Sequence, residues 1–538
     1  MVPSPKKLPS TLPSWTLRQQ IAQMIVVRTS GHYFEGQIRY PQWEANAAQL
    51  QHWLGDLNVG GVILLGGTAA EVRLRTAQLQ AWAQTPLLIA ADIEEGVGQR
   101  FEGATWFPPP LALAAIADRE QATHLARQMG QVTAQEAAAL GINWILAPVV
   151  DVNNNPSNPV INVRAFGETP EQVSQLATAF IQGAQVLPVL TTAKHFPGHG
   201  DTATDSHLSL PVMHHSPERL AQVELPPFQA AIAAGVDTVM SAHIRLPAWD
   251  ESAPATLSHR ALGQCLRQDL GFAGLIVTDA LVMAGVANWG TPAEVAVAAV
   301  AAGADILLMP ADPGAAIEAV AQAVEQGRLS AAQISDSVER IYAAKQKINN
   351  LHASPPLDAL AMVSTPAAQQ VVRESLHASN RLPSTTLAVQ PRMQARNIVV
   401  VPDVWRCEGL GHHTPAIARP AALGYSLQLL SYEQFQAIAL PPGAHLLQLF
   451  IRGNPFRGQA SLGDIVQQQV KELLKQEVLG AIVLYGSPYG HDWLQQYCPP
   501  GLPWCFSYGQ MPAAQVIVMD ALLPAQLPDA PSSDAGFI

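Results

Sequence analysis

The chain has 538 residues, of which 48% are hydrophobic and 13% are charged, and its formal net charge is −12. A chain of this length exceeds one ordinary hydrophobic core, so we expect two domains. The acidic balance argues against a nucleic-acid partner, because proteins that bind nucleic acid carry basic surfaces that neutralise phosphates. The high apolar content is typical of a large folded body rather than a disordered chain.

The sequence predicts a cytoplasmic protein without a membrane anchor. Residues 1–15 are rich in Pro, Ser and Lys and lack the continuous apolar region of a secretory signal. No apolar run reaches the roughly 18 residues that a membrane-spanning helix needs. The cysteines show no Cys-x-x-Cys spacing, which argues against a zinc ribbon or a redox motif. Free thiols are expected in the cytosol, with a disulfide between Cys498 and Cys505 as the alternative.

Residues 16–350 alternate short apolar, β-branched runs with Ala-, Gln- and Leu-rich segments of helical spacing. Near-continuous apolar runs are typical of parallel strands that are buried on both faces. Eight such strands are predicted, at Met24–Val27, Gly61–Leu65, Leu87–Ala91, Asn143–Val150, Leu187–Ala193, Val236–Ser241, Leu275–Thr278 and Asp305–Met309. Helices are predicted between them, for example at Asp118–Ala139, Pro170–Ala184 and Pro217–Ala234.

This pattern predicts an α/β fold in which residues 1–350 form a (β/α)8 barrel of the TIM type. An open doubly wound sheet is the alternative, but it would be expected to carry a glycine-rich phosphate loop after its first strand, and Val27–His32 is not one. Residues 351–391 contain several prolines and are predicted to be a linker. Residues 392–538 are predicted to form a smaller, sandwich-like α/β domain. Its predicted elements are strands at Asn397–Val401, His445–Phe450, Gly480–Tyr485 and Gln515–Met519 and a helix at Asp464–Gln476.

Polar residues gather at the carboxyl ends of the predicted barrel strands, which is the end that carries the active site in this fold. They are Asp92, Glu94, Asp151, Lys194, His195, His243, Arg245 and Asp279. Their bias to one end favours a functional site, although Asp151 is alternatively a residue that shapes a turn. Asp237 and Asp305 lie inside predicted strands and are expected to have structural partners. His214 and His215 are predicted to be surface residues.

The stretch from Lys194 to His207 holds three histidines, two carboxylates and a lysine. Pro197 prevents a regular helix or a continuing strand, so the stretch is predicted to be a polar loop after a strand. Three of its side chains offer metal-ligand chemistry, namely His195, His199 and Asp201. Two histidines four residues apart normally bind zinc from one face of a helix. Pro197 prevents a helix here, so we expect no metal. His199 is expected to satisfy backbone groups of the loop instead.

Two strand ends supply the groups that glycoside cleavage with retention requires. The apolar strand before Asp279 ends in a carboxylate, and the polar loop carries Asp205 and His207. A carboxylate can attack the anomeric carbon while a proton donor protonates the leaving oxygen, and the donor then activates the water that hydrolyses the glycosyl-enzyme. Histidine suits the second role because its unperturbed pKa is near 6.5 and a neighbouring carboxylate stabilises the imidazolium.

These motifs resemble glycoside hydrolase family 3, and specifically its bacterial β-N-acetylglucosaminidases. The matching segments are, in chain order, Lys194–Thr202, Asp205–His207, Met240–Ile244, Pro254–Ser258 and Val277–Ala280. The resemblance implies that Asp279 is the nucleophile and that His207 is the general acid/base, polarised by Asp205. It also implies a set of sugar-binding residues, which are Asp92, Arg100, Arg164, Lys194 and His195. No cofactor is expected, and the expected partner is a small carbohydrate.

The resemblance implies a retaining, exo-acting enzyme that hydrolyses terminal N-acetylglucosamine from peptidoglycan-derived or related glycosides. A family 3 β-glucosidase, a glycoside phosphorylase and a non-catalytic sugar-binding protein are the alternatives. The sequence also departs from the family pattern. After Asp92 the family usually shows Gln-Glu-Gly-Gly-Arg, whereas this chain has Ile93–Val97, with Gln99–Phe101 retained.

Overall fold

The computed structural model describes residues 8, 12–38, 40–41, 43–202, 210–349, 357–383, 395–404, 407, 409–452 and 462–523. The chain divides after Val371 into two compact units. Asp205 and His207 lie outside the described residues, as do residues 351–356 and 384–391 of the predicted linker.

Eight parallel strands of the first unit form one sheet within the described residues. They are β1 Ile25–Ser30, β2 Gly61–Leu65, β3 Leu88–Ala91, β4 Trp144–Ile145, β5 Leu190–Phe196, β6 Thr238–Ser241, β7 Leu275–Thr278 and β8 Leu307–Leu308. The strands follow one another in chain order, and β8 pairs with β1. A parallel bridge between Val277 and Ile306 joins β7 to β8 and closes the sheet. The (β/α)8 barrel that the sequence predicts is therefore confirmed.

Two strands differ from the prediction at their ends. The fourth strand was expected to reach Val150 but is limited to Trp144–Ile145, because Pro148 has no N–H to donate to a neighbouring strand. The fifth strand extends to Phe196, three residues beyond its expected end. Lys194 continues the pairing with Met240 of β6, and its carbonyl accepts the Val150 N–H at 2.8 Å. Lys194 and His195 therefore lie on the strand and not in the loop that the sequence predicted.

Helices surround the barrel. The α-helices of the first unit are α1 Leu17–Gln23, α2 Ala47–Gln51, α3 Ala69–Trp82, α4 Leu111–Ala114, α5 Arg119–Leu140, α6 Pro170–Ala184, α7 Pro217–Gln222, α8 Leu225–Ala233, α9 Ala284–Ala287, α10 Pro292–Ala302, α11 Pro313–Glu325 and α12 Ala331–Lys347. Arg260–Asp269 is a π-helix, and α13 Pro366–Ser379 crosses the division between the units. The single helix predicted at Pro217–Ala234 is wrong, since Pro226 and Pro227 start a second helix, where a missing N–H is tolerated.

The amino-terminal end of the barrel holds buried polar groups with structural partners, as predicted for Asp237 and Asp305. Asp237 accepts the Thr191 N–H at 3.0 Å. Asp305 is fully buried and pairs with Arg267 at 2.6 Å and with Arg340 at 3.0 Å. These carboxylates join helices and strands at the end of the barrel opposite the polar strand ends.

The second unit contains a five-stranded parallel sheet in the order β10-β9-β11-β12-β13. The strands are β9 Arg396–Val401, β10 Ser426–Ser431, β11 His445–Ile451, β12 Leu479–Gly486 and β13 Trp504–Ser507. The α-helices of this unit are α14 Pro415–Ala422, α15 Tyr432–Phe435, α16 Asp464–Lys475, α17 Tyr489–Tyr497 and α18 Pro512–Leu522. One buried apolar cluster contains Val399 and Val483, whereas another contains Ile398 and Ile482, so alternate residues of the sheet face separate cores.

The predicted strand Gln515–Met519 is wrong, because these residues lie in the helix α18. Pro512 starts this helix, and its buried side chains recur at helical spacing, as at Ala514 and Val518. Two strands were missed, at Ser426–Ser431 and Trp504–Ser507. The first is a partly exposed edge strand, which lacks the continuous apolar run by which the other strands were recognised.

No helix in the described parts of the chain is both long and apolar enough to cross a membrane. All four cysteines lie in described positions, and none of them forms a disulfide, so the alternative disulfide between Cys498 and Cys505 is wrong.

The contact between α5 and α6 predicts a stability effect. A Cβ added at Gly130 would overlap the carbonyl oxygen of Phe180, so Gly130→Ala must push the two helices apart. We expect a destabilisation of about 1–3 kcal/mol, against the small gain that alanine normally gives in a helix. Gly36→Ala is the control, because its Cβ would meet nothing within 4 Å. Thermal unfolding of both variants measures the effect, and equal midpoints would contradict the prediction.

Candidate active site

The candidate site lies at the carboxyl ends of the barrel strands. Asp92 follows β3, Lys194 and His195 end β5, and Asp279 follows β7. Asp151 lies in the segment after β4 and accepts hydrogen bonds from residues at the end of β5. Because all eight strands are parallel, these residues share one rim of the barrel.

Lys194 is the first centre of charge in the site. Its ammonium lies 2.8 Å from Asp92 Oδ1 and 2.6 Å from Glu94 Oε1. Burial alone would lower the pKa of Lys194, but the carboxylates of Asp92 and Glu94 raise it above its ordinary value. Lys194 is therefore a buried cation that is held between two anions.

Glu94 connects Lys194 to the second cation of the site, Arg164. The guanidinium of Arg164 binds Glu94 with two parallel hydrogen bonds of 2.8 Å each. Burial would raise the pKa of Glu94, but the charges of Arg164 and Lys194 hold it well below its ordinary value. A third contact fixes the arginine, whose Nη1 donates to the Val160 carbonyl at 3.0 Å. Glu94 is thus an ionised carboxylate shared by two of the predicted sugar-binding residues.

A second acid–base pair lies beside this network. His195 Nδ1 is 2.8 Å from Asp151 Oδ2, and the N–H of His195 donates to Asp151 Oδ1 at 3.1 Å. The N–H of His199 donates to the same oxygen at 2.7 Å. Burial would raise the pKa of Asp151, but His195, His199 and these hydrogen bonds lower it. Asp151 therefore holds the end of β5 in place. The sequence alternative was only that Asp151 shapes a turn.

His199 lies inside the site without being exposed. Its Nδ1 is 2.7 Å from the hydroxyl of Thr202, and its ring meets that of His195 edge to face with centroids 6.2 Å apart. Burial lowers the pKa of His199 to about 4, partly offset by Asp151 and Asp279. His199 is therefore uncharged at neutral pH. The electrostatic effect of Asp279 also shows that the end of β7 lies near this part of the site.

Asp279 is positioned by backbone contacts with the preceding strand. Its N–H donates to the Ser241 carbonyl at 3.2 Å, and its Oδ1 accepts the N–H of Ala280 at 2.7 Å. The carbonyl of Ala280 is 3.1 Å from Nε2 of His243, a buried residue. Nδ1 of His243 is in turn 2.9 Å from the hydroxyl of Thr256. The motifs around His243 and Thr256 therefore support the peptide that carries Asp279.

Arg100, the remaining predicted sugar-binding residue, donates from Nε to the Asp92 carbonyl at 3.0 Å. The intervening loop departs from the family pattern in sequence, and it makes its own contacts here. Glu95 stands where glycine is usual, and its carboxylate accepts the Trp106 indole N–H at 3.0 Å. Gly96 keeps a positive φ of 83°, which a residue with a side chain rarely adopts. The loop thus holds Arg100 near Asp92 despite the substitutions.

Ion pairs also hold the two chain segments that flank residues 203–209. Asp201 and His215 approach to 2.9 Å, so His215 is not the simple surface residue that was predicted, whereas His214 is exposed. Arg219 lies 3.7 Å from Asp201 and 3.1 Å from Glu224. Burial raises the pKa of Glu224 to about 7. Of the predicted site residues, Asp205 and His207 are the two whose placement is not described.

Sequence reasoning gave Glu94 and Asp151 no specific role in the site and assigned His199 to backbone groups of the loop. Glu94 and Asp151 were noted at strand ends, but their pairing with Arg164 and His195 joins residues that are far apart in the chain. Within the described ranges, no group of three or more His, Cys, Asp or Glu residues could hold a metal ion.

The shared carboxylate of Glu94 predicts a large loss of stability on neutralisation. Glu94→Gln leaves the buried Lys194 and the partly buried Arg164 with one anion fewer. We expect the free energy of unfolding to fall by about 3–5 kcal/mol, because breaking a buried ion pair leaves uncompensated charge. Glu318→Gln is the control, since its pair with Arg18 is exposed to solvent and should contribute little. Thermal unfolding at neutral pH compares the two, and equal shifts would contradict the prediction.

The effect of Glu94→Gln should also depend on pH. Folding lowers the pKa of Glu94 from its ordinary value of 4.5, so its contribution is fully present above that value. The contribution is lost as the pH falls through the lowered pKa. The difference in unfolding temperature between the wild type and the variant should therefore shrink in acid, and a difference that grows below pH 4.5 would contradict this assignment.

Comparison with known families bears directly on this barrel. Residues 16–344 match the family described as Glycosyl hydrolase family 3 N terminal domain. Residues 388–524 match the family described as Bacterial Glycosyl hydrolase family 3 C-terminal domain. The chain is also similar to the solved glycoside hydrolase family 3 beta-N-acetylglucosaminidase from Paenibacillus sp. str. FPU-7. That likeness has a TM-score of 0.76 at 30% identity and covers 96% of this chain and 99% of the other.

Two curated relatives are similar to part of the chain. The chain is 35% identical over 376 residues to Beta-hexosaminidase A of Pseudoalteromonas piscicida, which covers 63% of this chain and 62% of that protein. It is 41% identical over 276 residues to a Beta-hexosaminidase of Chromobacterium violaceum, covering 50% of this chain and 76% of that protein. The chain thus spans less than two thirds of the Pseudoalteromonas relative. Because the N-terminal domain match covers more than half of its residues, this chain belongs to glycoside hydrolase family 3.

Proposed function

We propose that the protein is a retaining, exo-acting β-N-acetylglucosaminidase that hydrolyses terminal N-acetylglucosamine. The observation that carries the proposal is the buried charge network at the barrel rim, where Lys194 and Arg164 share Glu94 close to the end of β7. Buried, fixed polar groups can hold the hydroxyls of one sugar ring, and such contacts can strengthen in the transition state. The names of the hexosaminidase relatives support the choice of the sugar.

The proposed reaction has two steps. In the first, the carboxylate of Asp279 attacks the anomeric carbon, and the bond to the leaving oxygen breaks as His207 donates a proton to that oxygen. In the second, His207 takes a proton from water, whose oxygen attacks the anomeric carbon and displaces Asp279. Each step inverts the configuration at the anomeric carbon, so the two steps together retain it. Asp205 stabilises the charged form of His207, which is the form that donates.

Each proposed sugar-binding group among the described residues has a fixed charge and a fixed role as a hydrogen-bond donor or acceptor. The buried Lys194 and the partly exposed Arg164 are cations that can only donate, whereas Asp92 is an acceptor. Asp92 is the more accessible partner of Lys194, with a side chain that is 34% exposed against 3% for Glu94. We therefore assign Asp92 to direct contact with a hydroxyl, and Glu94 to support of the two cations.

We further propose that the natural substrates are peptidoglycan-derived glycosides, such as N-acetylglucosaminyl-anhydromuramyl fragments, and that the protein acts in the cytoplasm. The four free thiols suit a reducing compartment.

Asp279→Ala should abolish hydrolysis of an aryl β-N-acetylglucosaminide, with kcat/KM falling by about 10⁴-fold or more, because the nucleophile is lost. Asp312→Ala is the matched control, since Asp312 only caps the exposed start of α11. Proton NMR of early product should show the β-anomer. A normal rate in Asp279→Ala, or an α-anomer as first product, would refute the mechanism. Assays with an aryl glucoside, with and without phosphate, separate the glucosidase and phosphorylase alternatives.

A further inference from the structure

Asp151 is a buried carboxylate to which the proposed reaction gives no role. The residue is fully buried, and its two oxygens receive three donors from the end of β5. Oδ1 accepts the N–H groups of His195 and His199, at 3.1 and 2.7 Å. Oδ2 lies 2.8 Å from His195 Nδ1. One carboxylate thus holds both the backbone and the ring of a sugar-binding residue.

These contacts determine which ring nitrogen of His195 carries the proton. The lowered pKa of Asp151 keeps it ionised despite burial, so it can only accept, and His195 Nδ1 must donate. On the other edge of the ring, Nε2 lies 3.5 Å from Nη2 of Arg164. A guanidinium has donors alone, so a proton on Nε2 would set two donors, and two positive charges, against each other. Nε2 is therefore an unprotonated acceptor.

We propose that Asp151 is a positioning residue that fixes His195 as the neutral Nδ1–H tautomer, so that Nε2 accepts a hydrogen bond from one hydroxyl of the bound sugar. The proposal rests on the proposed function, because it concerns the same sugar pocket. An unprotonated Nε2 makes the substrate position that it faces selective for a group that donates a hydrogen bond. A hydroxyl gives Nε2 a closer donor than the 3.5 Å contact with Arg164, whereas an atom that cannot donate leaves Nε2 with that long contact alone, which is a basis for rejecting an analogue.

Asp151→Asn tests the tautomer with little change in shape. The amide oxygen can still accept both backbone N–H groups, but the amide nitrogen would present a donor to His195 Nδ1. The ring would then have to carry its proton on Nε2, as when the aspartate that orients a catalytic histidine is replaced by asparagine. We expect kcat/KM for an aryl β-N-acetylglucosaminide to fall by about 100-fold.

A set of substrates isolates this effect from general damage. Each ring hydroxyl is replaced in turn by fluorine, which cannot donate a hydrogen bond. At one position the wild type should lose about 100-fold in kcat/KM, whereas Asp151→Asn should lose less than about tenfold relative to its own reaction with the parent sugar. Inductive effects of fluorine act equally on both enzymes and cancel in this ratio. Equal losses at every position would overturn the proposal, because a merely structural residue gives additive effects.

Asp237→Asn is the matched control. Asp237 is also a largely buried carboxylate that accepts a backbone N–H, from Thr191 at 3.0 Å, but it lies at the opposite end of the barrel. Its replacement should change stability while leaving the pattern of fluorine losses as in the wild type. The same altered pattern in Asp237→Asn would overturn the proposal.

A second measurement applies even if Asp151→Asn does not fold. The wild type is labelled with ¹⁵N-histidine, and the His195 signals are identified by their absence in His195→Gln. We expect a proton on Nδ1 and none on Nε2 at neutral pH, and protonation of Nε2 would overturn the proposal. This measurement also separates the two hypotheses. A wild type that turns over no aryl N-acetylglucosaminide refutes the proposed function, whereas the tautomer of His195 is decided by the NMR signals alone.

Discussion

The site depends on the carboxylate of Glu94, which neutralises the buried Lys194 and the partly buried Arg164 at once. Burying a charge without a partner costs several kcal/mol, so neither Lys194 nor Arg164 could occupy this rim alone. Glu94 binds the guanidinium through two 2.8 Å hydrogen bonds and the ammonium at 2.6 Å. The geometry therefore fixes both cations in the free protein, and a site that is organised in advance would need little rearrangement during the proposed reaction.

The barrel makes this pairing possible because it brings strands that are distant in the chain to one rim. Glu94 follows β3, Arg164 lies after β4 and Lys194 is near the end of β5, and these strands are neighbours in the sheet. The apolar strands supply a rigid frame, and the opposite end uses buried ion pairs of its own. Asp305 binds two arginines there, away from the rim, so ion pairs stabilise both ends but only one end combines them with Asp279.

The sequence predicted the barrel well because buried parallel strands are continuous apolar runs, and all eight were found. It failed where tertiary contacts override local pattern. Pro197 suggested that β5 stops before Lys194, but pairing with β6 carries the strand to Phe196. The apolar run Gln515–Met519 suited a strand equally well, and only its packing shows a helix. Glu94 was visible at a strand end, yet no local spacing connects it to Arg164, which is 70 residues away.

The two buried carboxylates of the rim act in different ways on the residues that they hold. Glu94 sets charge, because both of its partners are cations whose protons are never in question under neutral conditions. Asp151 sets the position of a proton, because its partner His195 has two nitrogens that can exchange roles. Replacing either carboxylate by its amide keeps the shape and removes one negative charge. At Glu94 the lost charge faces two cations, whereas at Asp151 the new amide N–H also forces the proton of His195 to the other ring nitrogen. The same chemical group therefore contributes charge balance at one position and hydrogen-bond direction at the other, and the proposed sugar recognition at this rim would use both.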